Sequence, residues 1–122
     1  MSMNFNDFFW HDSSIEEIYI DRSNPGKNDT VKIKINWIDR ENSILEFYDC
    51  YALEMNMNFG IMAKESILDA KLILSSQKLE AIRKNWLEMG VNLYDLKCYQ
   101  IITNSTGSDI KIYALGFIVK NI

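Results

Sequence analysis

Proline and histidine each occur once in this 122-residue chain and cysteine twice, and basic residues number 13 against 17 acidic ones, for a net charge of −4. Each shortage closes a class of function. One histidine and two cysteines, with no CxxC or HxxxH spacing, do not make a zinc site. Lysines and arginines scattered through a net acidic chain offer phosphates no basic patch, so nucleic acid is not an expected partner. No apolar run approaches the roughly 18–20 residues of a membrane-spanning helix. The opening Met1-Ser2-Met3-Asn4-Phe5 also lacks the basic-then-apolar order of a secretory leader. The expectation is a soluble, cytoplasmic protein with no membrane contact and no cofactor. Its thiols, Cys50 and Cys98, read as reduced, partly buried small hydrophobes; a disulfide would require their strands to be neighbours.

What is present is the composition of an ordinary globular protein, 48% hydrophobic and 25% charged. The length predicts a single domain over residues 1–122. The aromatic opening, residues 5–10, reads as a short turn or helix laying its rings on a core. Ile18 and Ile20 alternate with Glu17, Tyr19 and Asp21. After a turn at residues 24–29, Val31, Ile33, Ile35 and Trp37 alternate with Lys32, Lys34 and Asn36. Period-2 patterns on both sides of a turn predict a hairpin.

Residues 44–54 continue as a strand with Leu45 and Phe47 on one face and Glu46 and Tyr48 on the other. Asp49 falls on the apolar register, which predicts a bulge or an exposed end there. Leu68, Ala70, Leu72 and Leu74 suggest a further strand, with a helix from Glu65 as the competing reading. Residues 76–89 carry Leu79, Ile82, Trp86 and Met89 on one helical stripe, with Lys78, Arg83, Lys84 and Glu88 elsewhere. Ser75 or Ser76 is placed to cap the start and Gly90 the end. Two apolar stretches, residues 94–103 and 110–119, flank a flexible turn and form a second hairpin. The class is α+β: an antiparallel sheet of five to six strands with one amphipathic helix on one face.

No group of residues forms a catalytic or cofactor-binding signature, so the sequence ranks protein binding ahead of catalysis. His11-Asp12 is the candidate acid–base pair, but Asp12, Ser13 and Ser14 follow in immediate succession and cannot normally converge on one atom. A small enzyme or ligand-binding domain with a pocket near His11 would need a further polar group, such as Asp49 or Glu54, to reach the imidazole. Asn24-Pro25-Gly26-Lys27 lacks the GxxxxGK[ST] pattern and reads as a turn, and Asn58-Phe59-Gly60-Ile61 as a strand bend. The carboxylates show no calcium-loop spacing. Tyr19, Tyr48, Tyr51 and Tyr99 are candidates for the exposed or rim side of the sheet. Tyrosine beside acids is characteristic of protein-binding faces, which singles out Glu17, Tyr19, Asp21 and Tyr48 as partner contacts. A homo-oligomeric module pairing through a strand edge or sheet face is the third reading.

The run Phe9-Trp10-His11-Asp12-Ser13, the Ile-rich strand after it, Asp21-Arg22 and Pro25-Gly26 together resemble the opening of small bacterial immunity proteins of polymorphic toxin systems. Phe47-Tyr48-Asp49-Cys50-Tyr51 and Asn58-Phe59-Gly60-Ile61 extend the resemblance over roughly the first half of the chain. It implies a small acidic cytosolic protein that binds a cognate toxin tightly and performs no reaction. It carries over no individual toxin-contacting residue.

Overall fold

The computed structural model describes residues 4–122; Met1, Ser2 and Met3, part of the stretch read for a leader, lie outside the described residues. Six antiparallel strands and one helix follow a single 3-10 turn, Phe5–Asp7: β1 (Ser14–Asp21), β2 (Thr30–Asn36), β3 (Ser43–Asn56), β4 (Glu65–Ile73), α1 (Gln77–Glu88), β5 (Lys97–Thr103) and β6 (Asp109–Asn121). The α+β class and both hairpins are as the periodicity indicates. The sheet, however, closes on itself, in the order β1-β2-β3-β6-β5-β4. The closing seam is short: β1 meets β4 only at Ser14↔Ser66 and Ile15↔Glu65.

Bulges beside that seam turn both strands. Between Ile15 and Glu17 the register of β1 slips against β2, so Ile15 and Ile18 both point inward. A slip between Ile67 and Asp69 does the same for β4, because an extra residue increases local twist. Leu68 is thereby turned outward and is 47% exposed, whereas Ile67 and Ala70 are buried. Residues 65–73 therefore form a strand, but its apolar face is not the regular Leu68–Leu74 stripe. Asp49 takes a left-handed φ of 50°, close to the slip between Cys50 and Ala52. The bulge expected there is present.

The barrel interior is filled by Ile33, Ile35, Leu45, Phe47, Ile67, Ile101, Ile110 and Ile112, all fully buried. Rings from the N-terminal segment complete it. Phe5 packs between Trp10 and Tyr99, with centroids at 4.7 and 5.0 Å, and Phe8 stacks on Trp37 at 5.0 Å. The indoles find polar partners: Trp10 Nε1 donates to the Phe5 carbonyl and Trp37 Nε1 to Ser43 Oγ, both at 2.7 Å. Asn6 Oδ1 accepts from the Leu72 amide at 3.0 Å, tying the segment to β4. Phe9 points outward instead and is 57% exposed.

On the outside of the barrel, α1 covers a second cluster built on Leu79, Ile82, Leu93, Leu96, Cys98 and Tyr113. Burying Leu79 and Ile82 contributes about 1.5–3 kcal/mol each. Ser76 Oγ accepts from the Leu79 amide at 3.1 Å, the expected N-cap. Gly90, at φ +84°, ends the helix, with the Gly90 and Val91 amides donating to the carbonyls of Leu87 and Trp86. Arg83, off the apolar stripe, is half-buried. Its Nη2 donates to the carbonyls of Leu74 and Leu96, on the two chain segments flanking the helix. Cys50 lies on β3 and Cys98 on β5, each a neighbour of β6 rather than of the other, and both are free thiols.

Candidate functional site

Strand alternation after the β1 bulge turns Glu17, Tyr19 and Asp21 outward together. Opposite them on β2 stand Lys34, Lys32 and Thr30. The Tyr19 hydroxyl donates to Glu17 Oε1, and Lys34 Nζ lies 3.4 Å from Glu17 and 3.7 Å from Glu16. The bond from Tyr19, followed by that from Lys34, holds the Glu17 carboxyl below its ordinary range; the same bond raises the Tyr19 phenol. Asp21 Oδ1 accepts from the Ser23 amide at 2.9 Å and its hydroxyl at 2.7 Å, which lowers its pKa. Farther across the face, Glu46 lies between Lys32 at 3.5 Å and Lys120 at 3.1 Å. The result is a charged surface with acids concentrated on β1.

Tyr48 sits two strands away from β1, directed toward β6, where it pairs with Gly116 beside Tyr99 and Phe117. Tyr99 is 3% exposed and Tyr51 packs edge-on against Trp86 at 5.0 Å, so neither belongs to an exposed tyrosine face. Burial displaces the Tyr99 phenol up to about 12.

His11 is exposed. Its Nδ1 donates to the Leu68 carbonyl at 3.0 Å and its Nε2 lies 3.7 Å from Asp12. Asp12 itself adopts a left-handed φ of 70°. Ser13 is spent on the backbone: its hydroxyl donates to the Phe9 carbonyl at 2.7 Å and accepts from the Ile38 amide at 3.0 Å. The acids proposed to complete an acid–base set lie elsewhere. Glu54 accepts a 2.7 Å bond from the Tyr113 hydroxyl, and Asp49 lines a cleft beside Trp86. Among the described residues no group of three or more His, Cys, Asp or Glu side chains could hold a metal ion, and no helix is long and apolar enough to cross a membrane.

Two clefts meet at Ile20. One, of about 660 Å³, lies between the β1–β2 turn and Trp86, lined by Arg22, Asp29, Asp49 and Leu53. Arg22 and Asp29 form an ion pair across its rim at 2.5 Å, and that pair, with the Gly26 amide, lowers the Asp29 carboxyl. The other, of about 490 Å³, runs along β1 under the β3–β4 connection and is lined by Ile18, Ile20, Met55, Met57, Phe59 and Ile61. These apolar residues were not part of the sequence-derived site. The available signal was the uncharged run Met55-Asn56-Met57-Asn58-Phe59-Gly60-Ile61-Met62. Its alternation with asparagine and glycine reads as an irregular strand, and only the outward bow of the chain exposes Phe59 and Met62.

No protein-family model, curated protein or solved structure matches the chain.

Proposed function

We propose that this chain is a non-enzymatic, cytoplasmic protein-binding domain, and specifically an immunity-like protein that binds and neutralises a cognate bacterial toxin. The observation that carries this reading is the outward row of exposed Glu17 and Tyr19 and half-buried Asp21, beside two clefts that meet at exposed Ile20. A tyrosine flanked by acids beside exposed apolar surface combines the anchor and the polar rim of a binding patch. The net charge of −4 favours a basic partner surface. By contrast, the lone imidazole is exposed and engaged with backbone.

The test is co-purification and co-expression with the product of the gene adjacent to its own, followed by kinetics. The wild-type chain is expected to bind that product and to restore growth of cells producing it. The double variant Glu17→Lys/Asp21→Lys is expected to slow association by about tenfold at low salt, with a smaller effect at high salt. Unchanged binding of the double variant to an identified partner would move the contact surface off β1. Failure to protect against any adjacent product would remove the immunity reading.

A further inference from the structure

β1 is hydrogen-bonded along nearly its whole length on one side and at two positions on the other. Against β2 its register runs from Ser14↔Asn36 to Asp21↔Thr30, whereas against β4 it stops at Ile15↔Glu65. In an antiparallel ladder every second residue directs its N–H and C=O toward each neighbour, so residues 16–21 present a set of backbone groups to an empty position. The chain that could have filled it, residues 57–64, bows away: Phe59 is 85% exposed and Met62 is fully exposed. Among the described residues, no backbone bond outside the ladders joins that connection to residues 16–21. The gap is the 490 Å³ cleft, with an apolar floor and with Glu16, Glu17 and Glu65 as its only charged lining residues.

An open strand edge selects an extended peptide, because only another strand satisfies its backbone groups. The chain's own β2 shows which side chains β1 accepts. Lys34 and Lys32 lie opposite Glu17 and Tyr19 on the outer face, while Ile33 lies opposite Ile18 and faces the core. Three other strands outrun a neighbour: β3 past its last pairing with β2 at Phe47, where the Cys50 amide donates to the Asp29 carbonyl; β4 beyond Ser66, where Asn6 Oδ1 accepts from the Leu72 amide and His11 Nδ1 donates to the Leu68 carbonyl; and β6 past its last pairing with β5 at Ala114. On β6, Lys97 Nζ donates to the Leu115 carbonyl at 2.9 Å, and Phe5 and Phe8 pack on Phe117. Those edges are already partly covered.

We infer that β1 receives one extended segment of its protein partner as an added strand, with apolar residues alternating with lysine or arginine. The apolar set enters the Ile18–Met57 cleft and the basic set meets Glu16, Glu17 and Asp21. This rests on the protein-binding reading and specifies the segment that is bound.

The probe is a fluorescein-labelled, terminally blocked peptide with the sequence of residues 30–36, Thr-Val-Lys-Ile-Lys-Ile-Asn. It is titrated into the full chain by anisotropy, with amide shifts and hydrogen exchange read by NMR. Binding is expected to protect amides within residues 16–21. Replacing both peptide lysines with glutamate is expected to weaken binding by about tenfold or more. N-methylation at one alternate set of peptide residues should abolish binding, and at the other set leave it intact. Shifts confined to another surface, equal affinity for the charge-reversed peptide, or indifference to both N-methylated sets would overturn strand addition. So would sedimentation showing that the chain itself dimerises through this edge, with Ile20→Lys restoring a monomer. Strand addition fails alone if the peptide does not bind while an identified partner still depends on Glu17 and Asp21. The protein-binding reading fails if no protein partner binds the chain, whatever the peptide does.

Discussion

The phenol of Tyr48 occupies the space that a side chain at Gly116 would need: a Cβ there would lie 2.2 Å from the Tyr48 hydroxyl and 2.6 Å from the ring carbon bearing it. Glycine leaves room for the phenol at this point because β3 and β6 pair Tyr48 directly with residue 116 and the ring lies across the strand rather than away from it. Gly116→Ala is therefore expected to cost about 1–3 kcal/mol through overpacking. Urea unfolding should show most of that loss recovered in Gly116→Ala combined with Tyr48→Ala. An unshifted midpoint for the single variant would mean that the phenol swings out freely.

Phe5 is the residue through which the N-terminal segment closes the barrel. It is 2% exposed and touches the rings of Trp10, Phe47, Tyr99 and Phe117. Truncation to alanine removes a ring from the centre of five, and Phe5→Ala is expected to destabilise by about 3–5 kcal/mol. Tryptophan fluorescence should shift to the red, because Trp10 loses one of its three ring neighbours and part of its shield from water. A native-like emission spectrum with full stability would show that the segment is dispensable.

Arg83 links α1 to the two chain segments that flank it, donating to the Leu74 carbonyl at 3.1 Å and to the Leu96 carbonyl at 2.6 Å. Arg83→Met keeps the aliphatic stem but leaves both acceptors without that donor. The expected loss is about 1–3 kcal/mol. Hydrogen exchange should accelerate first in residues 91–96, which the guanidinium holds against the helix. Uniform exchange across the variant would instead point to a global loss of packing.

Cys50 couples stability to alkaline pH. Burial raises its thiol to about 12, against roughly 8.5 for an unfolded cysteine. A folded-state pKa above the unfolded one contributes stability that is complete below the unfolded value and lost as pH rises toward the folded value. The chain should therefore weaken from about pH 8.5 upward, by up to about 1.4 kcal/mol per pH unit for this group. Tyr99, also raised to about 12, adds to the slope above about pH 10. Urea midpoints between pH 7 and 10.5 should fall less steeply for Cys50→Ala than for the wild type, although the variant starts lower. Parallel slopes would show that the thiol titrates without linkage to folding.

The local chemistry of the chain was legible without coordinates. The Lys32–Ile33–Lys34–Ile35 alternation, the Asn24-Pro25-Gly26 turn and the Ser76 and Gly90 caps each act within a few residues, so β2, its hairpin and α1 lie where the pattern puts them. The outward row Glu17, Tyr19 and Asp21 was readable for the same reason, since strand alternation needs only a register. Leu68 and Tyr99 were misplaced, and the partners of Arg83 went unread, because their surroundings come from distant segments. A bulge turns Leu68 out, the N-terminal rings cover Tyr99, and backbone carbonyls before and after the helix draw in Arg83.

The sequence by itself determined the α+β class, the antiparallel hairpins, the single capped helix and the scarcity of groups suited to chemistry. Only the tertiary structure decided that the sheet closes, how short the β1–β4 seam is, and that residues 57–64 bow outward to leave β1 an open edge above an apolar cleft. Periodicity reports which face of a strand is buried, whereas closure depends on a contact between Ile15 and Glu65, fifty residues apart, whose register no local pattern encodes.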